Sequence, residues 1–588
     1  MNRIKNYPLL FTTLPVLLGI LLIYLPDLKN GFVWDDSTSF FSNPMYRDPA
    51  NIQKALTGAL IYQQNYFRPL PVLSFLIQIH VFEISAAQMH LVSILLHVFN
   101  TFMVMLIAVK FLRDLDKPRV YLSAALAGLI YGLHPALIEP VSFISSRFDM
   151  MLTAFLLTAI YADIRISNQW WRAFAVGLLF LLAALCKEMA VGFAIALPVW
   201  HFLKSGAKWP GLRSYIKDAG QQGEIKVYIA VVIAGFVYLV LRSLALGIVF
   251  DSSFYHHDTT HLALSAHLAL IGVSVFKYLS LLFFPLGKIS VAHPLPENLE
   301  FGNPEALLGY AFLILAPAIA WFGGKQRLMI IAGFAMVLAG LLPILGLIPL
   351  PRNPAAFFSE SFLPFPAALL ALVLIRPLNS LVNFNHAGSR GTKLALGTLL
   401  GFWLLLSAFT VTTTIPIWKS DMTLWAWARA TNPGNDEVRL NLAHAYLSEH
   451  RYAQAIDELN KLVPKYGDTD VVWNYLSYGL VGLGRYNEAK EAAEHALQLN
   501  PSETRNKLAL AQIEYQLENY PAAESLLGSV LDKNPQEIPA IILLANVYKK
   551  TNRLANAEQD MRKAISKLPL GRNRRLLQAW LQDLDSGK

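Results

Sequence analysis

Apolar stretches of about 20 residues recur along this chain, each long enough to cross a hydrocarbon layer of about 30 Å. No water-soluble core absorbs so many of them. Across 588 residues 55% are hydrophobic and only 15% charged, whereas a soluble domain is roughly a quarter charged. The sequence therefore predicts an all-α, multi-spanning membrane domain. Composition changes near residue 416: the chain is apolar and rich in Leu, Phe and Pro before it, polar and helix-forming after it. Two domains follow from that break.

The first apolar run, Leu9 to Leu25, ends in Tyr24-Leu25-Pro26-Asp27, without the small residues of a cleavage site, and reads as an uncleaved span. Arg3 and Lys5 precede it, which places the N-terminus in the cytoplasm. Further spans are expected near 89–112, 120–136, 148–164, 172–186, 189–204 and 226–247. Arg113, Lys117, Arg119, Arg165, Arg172, Lys204, Lys208, Arg213, Lys217 and Lys226 then all fall on the cytoplasmic side. Residues 264–284 are read as dipping into the bilayer and returning, because a full crossing would carry Lys325, Arg327 and Arg376 outside. Spans near 306–323, 328–348, 361–376 and 394–416 complete about eleven and leave the C-terminal region outside. The formal charge of +9 is then topology signal, not nucleic-acid affinity. Cys186 is the single cysteine, so no disulfide framework or cysteine-based metal site is expected.

The tail repeats itself. Tyr452, Tyr486, Tyr520 and Leu554 are spaced by 34, and so are Ala455, Ala489, Ala523 and Ala557. That period, with small residues where helices cross, is the signature of a tetratricopeptide (TPR) α-solenoid. Each Ala lets two antiparallel helices pack closely, and Pro501, Pro535 and Pro569 end the second helix of a unit. The expected organisation is a membrane domain over 1–416, a connecting half-repeat over 417–435, four repeats over 436–571, and a capping helix and tail over 572–588. Such an array has no catalytic chemistry of its own; its concave face binds peptide or protein.

Polar and ionisable residues collect in the outward loops: Asp35, Asp36, Arg68, His134, Glu139, Arg147, Asp149, Lys187, Glu188, Arg352 and Glu360. Any one of them alone is as readily a snorkelling interfacial side chain. Eleven on one face of a bilayer point to function. Lys187-Glu188 interrupts an otherwise apolar run from Leu178 to Trp200. Asp35 and Asp36 are adjacent carboxylates directly after the first span, and the competing explanation for them is helix capping. Glu139, Asp149 and His134 are too scattered to specify a metal, and Asp149 pairs as readily with Arg147 or a neighbouring Arg. His256, His257, Asp258 and His261 read first as a solvated loop.

GFVWDDSTSFFSNP (31–44), YFRPLPVLSF (66–75), MHLVSILLH (89–97), LHPALIEPVSFISSRFDMM (133–151) and LCKEMAV (185–191) resemble the transmembrane-and-TPR O-mannosyltransferases of TMTC type. The likeness continues through YLSLLFFPLGKIS (278–290), the segment around Glu360, and WKSDMTLWAWARATNPGN (418–435). The resemblance implies a GT-C fold and an inverting glycosyltransferase. Its donor would be a polyprenyl-phosphate-linked sugar, with mannose the first candidate, and its acceptors Ser or Thr hydroxyls of extracytoplasmic proteins recruited by the TPRs. Asp35 would be the catalytic base and Asp36 its companion. Arg68, Arg147, Lys187 and Arg352 would bind the carrier phosphate. His134, Glu139, Asp149, Glu188 and Glu360 would support the site.

No Gly-rich nucleotide loop occurs, which suits a lipid-linked donor and no further cofactor; a divalent cation stays open. The expected partners are the membrane lipid carrier and an acceptor protein, with no nucleic acid. The site and the repeats would face the periplasm in a bacterium or the ER lumen in a eukaryote. Two other readings stand beside this one. The chain would be a non-catalytic membrane-anchored TPR scaffold, or a GT-C enzyme acting on a glycan or lipid acceptor.

Overall fold

The computed structural model describes residues 7–36, 46, 51–56, 66–82, 84–112, 117–207, 212–247, 263–296, 298–322, 326–347, 357–382, 390–535, 537–567 and 572–585. Arg352, Lys208, Lys325 and the His256–His261 stretch lie outside them. Two compact units are present, Met1–Ser420 and Asp421–Lys588. The described elements of both are helical.

The first unit begins with α1 (Tyr7–Tyr24), α2 (Asn51–Leu56), α3 (Pro69–Phe82), α4 (Ala86–Phe111), α5 (Lys117–Gly132) and α6 (Ile138–Ser142). It continues with α7 (Arg147–Arg165), α8 (Gln169–Ala184), α9 (Val191–Lys204), α10 (Leu212–Gln221), α11 (Glu224–Leu246) and α12 (Leu264–Phe283). The last are α13 (Pro304–Trp321), α14 (Arg327–Leu341), α15 (Pro364–Val373), α16 (Ile375–Val382) and α17 (Arg390–Thr414). Local chemistry sets several ends. The Asn168 side chain caps α8 by accepting from the Trp170 and Trp171 amides, and Asn303 does the same for α13 ahead of Pro304.

Among the described residues, seven helices are long and apolar enough to cross a membrane. The number rises to nine if α5 with α6, bent by 59°, and α15 with α16, bent by 42°, each count as one span. These helices read as a multi-pass membrane protein, and among the described residues they do not confirm the expected eleven spans. The reason is local. α7 carries Arg147, Asp149, Asp163 and Arg165 within 19 residues, while α8 has 16 residues and α9 only 14.

Residues 264–283 also depart from expectation: α12 is one unbroken helix, not a dip and return. Along its length it packs on α13, where Gly272 meets Ala306 and Gly309, and it also reaches residues at one end of the unit. Leu270 packs at Gly346, Tyr278 stacks edge-on against Phe358, and the Leu282 carbonyl meets the His134 ring 2.9 Å away. Gly346 follows the end of α14, where Ile344 shares a recess with Asp149 and Phe362. That end of the unit also holds Asp36, Ser145, Lys187 and Glu360, and is called the site end below.

In the second unit a helix over Asp421–Thr431 precedes the repeats. Helix pairs then follow at Asp436–Ser448 and Tyr452–Asn460, Asp470–Gly482 and Tyr486–Leu499, Thr504–Gln516 and Tyr520–Lys533, and Ile538–Lys550 and Leu554–Lys567. Ala455, Ala489, Ala523 and Ala557 are fully buried where the paired helices cross. The turn inside each pair holds one left-handed residue, His450, Gly484, Glu518 and Asn552, again 34 apart.

Candidate active site

The first span ends in a 3₁₀ turn over Leu25–Lys29, and the chain is pinned immediately after it. Asn30 Nδ2 donates to Asp27 Oδ1 at 2.6 Å and to the Ile415 carbonyl at 2.9 Å. The Gly31 amide donates to the Lys419 carbonyl at 3.0 Å, and the His90 ring lies 3.5 Å from Asp27 and 3.2 Å from the Gly31 carbonyl. Trp34 then adopts φ 53°, a left-handed conformation costly for a bulky residue. Its indole stacks on Phe143 at 5.3 Å, and Phe143 in turn faces Trp418 at 6.0 Å.

This strained corner gives the two aspartates different surroundings. Asp35 is exposed. Asp36 is fully buried, and its Oδ1 accepts from the Ser145 amide at 2.9 Å and from the Ser145 hydroxyl at 2.5 Å. Its Oδ2 has no hydrogen-bond donor. Burial pushes the Asp36 carboxyl up to about 7, against the Ser145 bonds and the nearby His90 ring, which favour the ionised form. Neither Ser145 nor His90 stood out in the sequence. Both lie inside the stretches 89–97 and 133–151 that carry the family resemblance, but only folding brings residues 36, 90 and 145 together.

Arg147 is the largest fully buried side chain. It donates one bond to the Met89 carbonyl at 3.2 Å and lies 4.0 Å over the Phe75 ring. Its Nε and Nη1 have no hydrogen-bond acceptor, and Asp36 and Tyr46 lie within its electrostatic reach. The Asp149–Arg147 pairing that the sequence left open is not formed. Asp149 instead accepts from Lys187 at 2.6 Å, with the ammonium 4.3 Å from the Phe362 ring.

The other cation of this end is also paired. Arg68 forms a two-pronged bridge to Glu188, at 3.1 and 2.5 Å, and packs over Tyr66 at 4.2 Å. Burial alone would raise the Glu188 carboxyl, but Arg68 outweighs it and holds the group near about 2. Lys187 and Arg68 thus arrive with their charges matched. A recess lined by Thr153, Met189, Gly340, Ile344, Phe362 and Pro364 opens beside Asp149.

The remaining expected residues fall into a third cluster. Glu139 accepts from the Ser359 hydroxyl at 2.5 Å, and Glu360 meets His293 at 2.8 Å and the Ser290 amide at 3.1 Å. Burial would raise the Glu360 carboxyl, yet His293 and its other donors bring it below its usual range. His134 is structural: its Nδ1 accepts from the Ala136 amide at 3.3 Å and its Nε2 donates to the Leu282 carbonyl. Among the described residues no group of three or more His, Cys, Asp or Glu is arranged to hold a metal ion. Glu139 and Asp149 are engaged by different partners.

Fold and site together define a helical membrane unit with a buried charged centre at one end, followed by a helical repeat array. One tetratricopeptide repeat model matches residues 426–476 and 480–539, and a second matches 538–566. The chain is 22% identical over 594 residues to human protein O-mannosyl-transferase TMTC3, covering 93% of this chain and 59% of that protein. The mouse TMTC3 is 23% identical over 597 residues. Fruit-fly protein O-mannosyl-transferase Tmtc1 is 29% identical over 178 residues, which is 29% of this chain and 20% of the fly protein. The chain is a TPR-bearing homologue of the TMTC protein O-mannosyl-transferases, and spans 59% of the length of the human relative.

Proposed function

We propose that this chain is an inverting glycosyltransferase that moves a monosaccharide, mannose by analogy with its relatives, from a polyprenyl phosphate to Ser or Thr hydroxyls of proteins. The observation that carries the reading is the corner after α1. An exposed carboxylate, Asp35, sits beside a buried one, Asp36, and a buried guanidinium with two unengaged N–H positions lies within electrostatic reach of Asp36. Homology to protein O-mannosyl-transferases supports the same class of transfer.

In this reading the acceptor hydroxyl attacks the anomeric carbon from the face opposite the phosphate. The C1–O bond breaks as the new glycosidic bond forms, and its electron pair leaves with the polyprenyl phosphate. Asp35 takes the hydroxyl proton. Asp36, clamped by Ser145, fixes the corner and so the aim of its neighbour. Arg147 offers Nε and Nη1 to the phosphate, whose charge grows as the bond breaks. Lys187 and Arg68 add positive edges oriented by Asp149 and Glu188, and Arg352, outside the described residues, is proposed from the sequence as a further cation. The apolar recess beside Asp149 suits the first units of the carrier tail. Glu139, Glu360 and His134 hold the surrounding loops together.

The site end would face away from the cytoplasm, and the TPR array, a fold that serves protein–protein contact, would present the acceptor. The test is sugar transfer from a polyprenyl-phosphate donor by Asp35→Asn, which keeps size and removes the base. Transfer should fall by about 10²–10⁴ while membrane expression is retained. Full activity in Asp35→Asn, in Asp36→Asn and in the double variant would leave the pair as a helix cap only.

A further inference from the structure

α4, α9 and α14 run away from the site end, and their other ends carry a second polar feature that the transfer reaction does not use. On α9 the separation from Val191 to Trp200 is about 14 Å at 1.5 Å per residue. There Phe111, Trp200, Met329, Met336, Leu372 and Arg376 line a narrow recess. Trp200 is only 2% exposed and its indole N–H has no acceptor. A buried N–H left unmatched costs on the order of 1–3 kcal/mol, so such a group normally has a partner. Arg376 is half-buried, lies 5.0 Å over the Phe111 ring, and has a thioether, Met329 Sδ at 3.6 Å, as its side-chain hydrogen-bond partner. Among the described residues no carboxylate pairs with it, although Asp163 and Glu224 lie at the same end, engaged with Lys204 and His201.

The neighbouring surface has the chemistry of a membrane interface. Trp170, Trp171 and Trp321 are exposed at this end, with Lys226 lying 4.4 Å over Trp170 and Arg327 4.2 Å over Trp321. Tryptophan and cations gather at the headgroup level. We propose that the recess binds the phosphate of an anionic glycerophospholipid from that leaflet, with Arg376 pairing the phosphate, the Trp200 N–H donating to a phosphate or ester oxygen, and the methionines and Phe111 receiving the top of an acyl chain. The site is separate from the one proposed for the sugar carrier.

The full chain in nanodiscs of mixed phosphatidylglycerol and phosphatidylcholine, transferred to detergent and weighed by native mass spectrometry, tests this. Wild type should retain one phosphatidylglycerol in preference to phosphatidylcholine. Arg376→Gln should lower that preference about tenfold, as expected for loss of a charge-assisted contact, and Arg376→Lys should keep most of it. Trp200→Phe removes only the N–H and should give a smaller loss, which keeps the test valid if Arg376→Gln does not fold. Equal retention by wild type, Arg376→Gln and Trp200→Phe overturns the proposal. So does a preference for added polyprenyl phosphate over phosphatidylglycerol that depends on Arg376.

Discussion

Asp36 shows how far burial alone changes a residue's behaviour. Its carboxyl ordinarily ionises near 3.8, but in the fold it does so near about 7, because desolvation outweighs two bonds from Ser145. The folded state therefore holds this proton more tightly than the unfolded chain, and stability falls as pH rises from about 4 to about 7. Asp36→Asn keeps the acceptor oxygen for Ser145 and removes the titration. Thermal melts of wild type and variant should diverge over that window, the variant gaining on the wild type toward pH 7. A constant difference across the window would mean that Asp36 is ionised throughout. The cations teach the complementary lesson. Lys187 and Arg68 stand out in the sequence as cations in apolar surroundings, yet each is matched by a carboxylate distant in the chain. Arg147, by contrast, keeps its Nε and Nη1 unengaged.

At the scale of elements, close approach decides where glycine is required. A Cβ on Gly309 of α13 would collide with the Gly272 carbonyl of α12, and one on Gly272 would lie 2.6 Å from the Ala306 carbonyl. Gly309→Ala should push the two helices apart and cost about 1–3 kcal/mol of stability in detergent. Gly19→Ala, which meets nothing within 4 Å, is the matched control and should be neutral. In the repeats the left-handed turn position carries Gly484 once and Glu518 at the equivalent place, with φ 61°. Glu518→Gly relieves that conformation and should stabilise the array by about 0.5–1 kcal/mol, read from denaturant unfolding of the full chain followed by repeat-specific fluorescence. A destabilised variant would mean that chain entropy outweighs the relieved strain.

For the whole molecule the open question is which helices cross. α11 ends at the site end, where Tyr238 packs 6.1 Å from Phe67, and α12 touches the same end at Leu270, Tyr278 and Leu282. The sequence between them, FDSSFYHHDTTHL, is too polar to cross a bilayer unaided. We predict that α12 stays on the site side, although its length and composition would permit a crossing. A reporter active only outside the cytoplasm should then be inactive when fused at Lys325 and active after Lys588. Activity at Lys325 would show that α12 crosses after all.

Periodicity and composition by themselves determined that this chain is helical, that its first part is apolar enough for a membrane, and that its tail is a 34-residue repeat. These properties are written in spacing and hydrophobicity, which depend on near neighbours. The adjacency of Asp35 and Asp36 was legible too, as was the cluster of charged residues around 134–149 and 187–188. Only the tertiary structure decided which aspartate is buried, that Lys187 faces Asp149 and not a free ligand, that Arg147 is left with unengaged donors, and that α12 is unbroken. The physical reason is that burial and charge pairing join residues more than a hundred positions apart, such as Asp36 with Ser145 and Arg68 with Glu188. No local pattern carries the distance between them.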